Sequence, residues 1–70
     1  MKSLFNRARD IQGGVLESRM VARMETEGRE LTDSETKAEC EYLLDTIDCS
    51  GYDKKEISAI KKACRYILSK

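Results

Sequence analysis

The chain has 70 residues, with thirteen Lys and Arg balanced by thirteen Asp and Glu, and no His, Pro or Trp. That length admits a single domain with a small core, and the absence of histidine removes the commonest general acid–base group. Leu, Ile, Val and Phe supply 14 of the 70 residues, close to the boundary of disorder, but the net charge is zero and the apolar residues are periodic, so the chain reads as folded.

Residues from about 3 to 27 read as helix, interrupted at Gly13-Gly14 and ended near Gly28. Two adjacent glycines cost a helix interior about 2 kcal/mol relative to alanine, so the pair predicts a kink or a break. On an unbroken helix Leu4, Ala8, Ile11, Val15 and Ala22 share one side, and Leu16, Met20 and Met24 fall almost opposite. A helix that is apolar on two sides has two surfaces to cover. One docks on the rest of the chain. The other is met by a kink at the glycine pair or by a second copy, which makes Leu16, Met20 and Met24 the candidates for self-association. No apolar run approaches the ~18 residues of a membrane span. Lys2 is not followed by an apolar stretch, so no secretory signal is expected.

The next start signal is sharper. Thr32 and Glu35 have the spacing of a capping box, with Leu31 as a staple residue before it, and the helix they open runs over about 33–48. Cys49-Ser50-Gly51-Tyr52 is a turn, with Gly51 free to take a positive φ. Asp53 and Glu56 form a second box, opening a helix over about 54–68. Cys40, Leu44 and Ile47 before the turn mirror Cys64, Ile60 and Ile57 after it, so a fold-back near Tyr52 brings the pairs level. That is the pattern of an antiparallel αα-hairpin. Ala59, Ala63 and Tyr66 widen the apolar arc of the last helix until it demands two neighbours. The expectation is therefore a small all-α domain: an N-terminal helix kinked or broken at Gly13-Gly14, packed on a C-terminal antiparallel hairpin.

Little here supports catalysis. No Cys–His or Ser–His pair is available, and the carboxylate pairs Glu41/Asp45 and Asp45/Asp48 sit on an acidic helix face, where a solvated surface explains them. Cys40, Cys49 and Cys64 lack the short paired spacing of zinc sites. Cys40 and Cys64 fit the seam as small apolar residues, level enough for a disulfide under oxidation. The interval Asp45–Glu56 matches the length of a calcium loop but places Ile47 and Cys49 at ligand positions. No phosphate loop follows Gly13-Gly14. No metal, no cofactor and no enzymatic activity are expected.

Charge divides by element, with seven acids and one Lys from Glu30 to Asp48, and six bases and one Glu from Lys54 to Lys70. The plain reading is an acidic helix paired with a basic one across the hairpin. The sharper reading gives each outer face a partner of opposite sign. Tyr42, off the seam on the acidic helix, and Lys55, Lys62 and Arg65, outward on the basic one, are the candidate partner-binding residues. The expected function is that of a small non-enzymatic interaction protein that binds a protein partner stoichiometrically and forms a homo-oligomer. A cytoplasmic regulator or inhibitor encoded by a virus or mobile element fits the size and the missing chemistry. The first alternative is nucleic-acid binding by Lys54, Lys55, Lys61, Lys62 and Arg65, supported by Arg7, Arg9, Arg19 and Arg23. Zero net charge, the acidic preceding helix and the lack of interleaved aromatics weigh against it. The second alternative is a small anionic nucleotide held between copies by Arg7, Arg9 and Tyr52.

Overall fold

A computed structural model describes residues 3–11 and 13–70. The N-terminal segment is broken at the glycine pair: α1 spans Leu4–Ile11 and α2 spans Val15–Glu27. Ser3 opens α1, its Oγ accepting from the Asn6 backbone N–H at 3.2 Å. Gly28 closes α2 at φ 72°, with its N–H bonded to the Met24 carbonyl, a left-handed cap that a Cβ would strain.

The capping box at Thr32 is complete. Glu35 N–H donates to Thr32 Oγ1 at 3.2 Å and Thr32 N–H donates to Glu35 Oε1 at 2.9 Å, opening α3 over Asp33–Thr46. Arg29 holds the same carboxylate through two hydrogen bonds of 2.8 and 3.0 Å. The hydrogen bonds from Arg29 and from the Thr32 backbone hold the Glu35 carboxyl down at about 2. A 3₁₀ turn, Ile47–Cys49, ends α3 two residues earlier than the sequence implies. Ser50 Oγ donates to the Ile47 carbonyl at 2.6 Å, and Gly51 turns the chain at φ 87°. Asp53 then caps α4, Lys54–Leu68, by accepting from Glu56 N–H at 2.8 Å. This second box is formed only from the Asp53 side.

α3 and α4 pack against each other most extensively, with α1 set against α2, α3 and α4. The radius of gyration, 11.3 Å, matches the ~11 Å of a compact chain of this length, so the helices form one body. The core gathers Leu4, Phe5 and Ala8 from α1, Leu16 and Met20 from α2, Leu31, and the α3–α4 seam.

Three expectations change at this level. Leu16 and Met20 are completely enclosed by the chain's own core, and Met24 packs partly buried against it, so they are not a free surface for a second copy. The break at Gly13-Gly14 explains this: it lets both apolar sides of the segment turn toward one core. In the hairpin seam Leu43 is buried at 3% exposure while Leu44 is only half-buried. α3 serves α1 as well as α4, so its buried arc centres on Thr36, Cys40, Leu43 and Ile47, with Leu44 at the edge. On α4, Ile60, Ala63, Cys64 and Ile67 are buried, but Ala59 and Tyr66 lie exposed on the flank of the expected arc.

Cys40 and Cys64 meet inside the seam as free, buried thiols. The hydrogen bond to Cys64 and burial push the Cys40 thiol far above its ordinary range, so it packs as an inert apolar group. Cys49 is free and exposed on the 3₁₀ turn.

Candidate partner-binding face

Two acids of α3 are held from outside the hairpin, Glu39 by α2 and Glu35 by Arg29 in the loop that follows α2. Glu39, 5% exposed, accepts from Arg19 Nε at 2.7 Å and from an Arg23 terminal nitrogen at 2.6 Å. Arg23 also reaches Glu27 at 3.4 Å. Glu39 and then Glu27 raise the Arg23 pKa above its ordinary value. Across the hairpin, the ion pair recorded among the described residues is Lys61 with Asp48, at 2.8 Å on an exposed carboxylate. The expected pairing of an acidic α3 with a basic α4 is thus reduced to a single surface contact, worth about 0–1 kcal/mol.

The outer face of α4 is left strongly positive. This helix carries five cations and one acid, and Lys55, Lys62 and Arg65 are all exposed. No ion pair to any of the three is recorded among the described residues. They form two neighbouring stripes: Lys55, Ala59, Lys62 and Tyr66 follow helical spacing, and Lys54, Ser58, Lys61 and Arg65 run beside them.

α1 adds to the first stripe. Ile11 and Tyr66 stand side by side between two shallow depressions, one of about 460 Å³ with Arg7 and Asp10 and one of about 330 Å³ with Ala59, Lys62 and Ala63. Lys70 lies over the Tyr66 ring, 4.4 Å from its centre. Lys70, and behind it Arg7, draw the Tyr66 hydroxyl below its ordinary pKa. Tyr66 is therefore flanked by cations from two parts of the chain, Arg7 of α1 and Lys70 after α4, with Asp10 beside Arg7. The pairing of Ile11 with Tyr66 is not legible in the sequence, because it depends on how α1 packs on α4.

Tyr42 belongs to a different place. It is 53% exposed, and the Arg19 guanidinium lies 4.9 Å from its ring centre. With Tyr52, Leu43, Ile47 and Glu56 it lines an open groove of about 560 Å³ between α2 and the α3 elbow. Tyr42 is therefore not continuous with Lys55, Lys62 and Arg65. Arg65 borders a further depression of about 540 Å³ with Asp48, Lys54, Ile57 and Lys61.

The groups expected to clamp a small anion are not assembled within one chain. Arg9 lies over the Phe5 ring at 5.6 Å, Arg7 is beside Tyr66, and Tyr52 faces the α2–α3 groove. Among the described residues, no three Cys, Asp or Glu side chains gather as metal ligands. Nor is any helix long and apolar enough to cross a membrane. Comparison with protein-family models, curated proteins and solved structures returns no match for this chain.

Proposed function

We propose that this chain is a non-enzymatic interaction protein, a regulator or inhibitor that binds an acidic protein partner stoichiometrically through the outer face of α4. The observation that carries this reading is the uneven use of charge. The arginines of α2 are bound by Glu39, while Lys55, Lys62 and Arg65 project into solvent. Cations held out in this way steer an oppositely charged partner and speed its association. A cytoplasmic setting suits the reading, because the three thiols are unpaired. A homo-oligomer built on Leu16 and Met20 forms no part of it, since both are enclosed.

Nucleic-acid binding stands second, on one specific observation. Folding sets Arg7 beside α4 and exposes Tyr66 among its cations, supplying the aromatic that the sequence pattern lacked. Reversing Lys55, Lys62 and Arg65 to Glu separates loss of binding from loss of fold, because exposed substitutions leave stability nearly unchanged. The triple variant is expected to melt within a few degrees of the wild type and to lose its protein partner in a pull-down read with solution mass. A mobility-shift titration with duplex DNA at low and physiological salt completes the test. Affinity on the protein reading is negligible at physiological salt, and tight binding there moves the nucleic-acid reading to first place.

A further inference from the structure

We infer that the Ile11–Tyr66 depression is the docking point for an acidic amphipathic helix of the partner, which seats an apolar side chain between Ile11, Ala59 and Tyr66 and sets its carboxylates against Lys55 and Lys62. This rests on the protein-binding reading above and names the chemistry of the partner.

Several observations converge on this spot. Ile11 and Tyr66 are 39% and 40% exposed, and they are two of the four large apolar side chains left exposed among the described residues. They are in contact with the same pair of depressions, so their exposed surfaces form one patch. Single exposed apolar residues are ordinary, but adjacent ones from two helices, set in a concave surface, are what an anchor side chain fills. The patch also takes in Ala59 and Tyr66, the part of the expected α4 apolar arc that stays exposed among the described residues.

Charge selects the occupant. Arg7, Lys62 and Lys70 border the patch, Asp10 stands against them, and Lys55 lies one turn before Ala59 on the same exposed stripe of α4. A second copy of the chain using the same face would bring like charges together across a two-fold axis, where the same patch must match itself. A bare polyanion would satisfy the rim and leave the Ile11 and Ala59 surface uncovered. A segment with carboxylates beside an apolar stripe satisfies both. Helical geometry matches the spacing, because Lys55 and Lys62 are two turns apart, and a helix lying along α4 can present acids at i and i+7 with an apolar residue between them.

The test uses the full chain and four labelled probes. The first is a 16-residue peptide with Glu on one helical face and Leu on the other. The second is the same composition scrambled to destroy the stripe. The third is a duplex DNA, and the fourth is vesicles containing phosphatidylserine. The amphipathic peptide is expected to bind at least about tenfold more tightly than the scrambled one. Ile11→Gln and Tyr66→Gln should each weaken it about tenfold without moving the melting curve, whereas Lys55→Glu with Lys62→Glu should abolish binding of both peptides. Equal binding of the two peptides, or indifference to Ile11→Gln and Tyr66→Gln, overturns the docking point. The charge-steered reading survives that result if the lysine reversals still abolish binding. Binding of DNA or vesicles at physiological salt with no response to either peptide overturns both, and so does the absence of binding to every probe.

Discussion

Glu39 is the residue on which the attachment of α2 to α3 turns. A carboxylate at 5% exposure must be met by charge, and Arg19 and Arg23 meet it from two successive turns of α2. Glu39→Ala removes the common acceptor while both guanidiniums, 39% and 35% exposed, can return to water. The expected loss is therefore about 1–3 kcal/mol, short of the cost of stranding a buried charge. Urea denaturation measures it, and an unchanged midpoint would mean that α2 is held by its apolar face alone. Glu35 makes a separate, pH-dependent contribution. Its folded-state pKa of about 2 lies below the ordinary 4.5, so its contribution is full above about pH 4.5 and is lost as pH falls toward 2. A carboxyl titration followed by NMR should give a midpoint near that folded value, and Arg29→Ala should move it upward. The Thr32–Glu35 box is legible as a spacing in sequence, and Glu35 is its named member. Glu39 was not legible: among seven acids between Glu30 and Asp48, nothing marks the one whose neighbours Thr36 and Leu43 turn inward.

At the scale of elements, the hairpin shows which part of a periodic pattern survives folding. The caps at Thr32 and Asp53, the turn at Gly51 and the level meeting of Cys40 with Cys64 all stand as the sequence implies. Those features are local, or depend only on the chain doubling back. On α3 Cys40 and Ile47 keep their places in the seam while Leu43 is buried in place of Leu44, because the mirrored pairs assume a single neighbour. α1 also lies on α3, and it draws the buried arc toward Leu43. The two leucines therefore differ sharply in what they cost. Leu43→Ala opens a cavity in an enclosed site and should destabilise the chain by about 2–5 kcal/mol. Leu44→Ala, at the half-buried edge, should cost less than half as much. Thermal melts of the two single variants decide it, and equal shifts would restore the seam to Leu44.

For the whole molecule, the break at Gly13-Gly14 replaces the surface that a second copy was expected to cover. A straight helix would have kept Leu4 and Ala8 on the side opposite Leu16 and Met20. The break separates α1 from α2 and puts all four in one core. Sequence makes the glycine pair visible but leaves the placement of α1 open, because α1 packs on α3 and α4 as well as on α2. The consequence is a definite prediction for Met20. In a chain of 70 residues the net stability is a few kcal/mol. A carboxylate placed at a fully enclosed site, without a partner, costs more than such a core supplies. Met20→Glu should therefore abolish cooperative unfolding and helical circular dichroism at 25 °C, while the wild type should scatter light as a monomer of 8.0 kDa at high micromolar concentration. The opposite pattern belongs to a shared interface: a wild-type mass that is a multiple of 8.0 kDa, and a Met20→Glu variant that keeps its helices but falls to the monomer mass. That pair of results would return Met20 to the surface and require a different packing of α2. Retained helicity in a Met20→Glu monomer, with the wild type also monomeric, would show that the core tolerates a charge at this site and that its stability lies mainly in the α3–α4 seam.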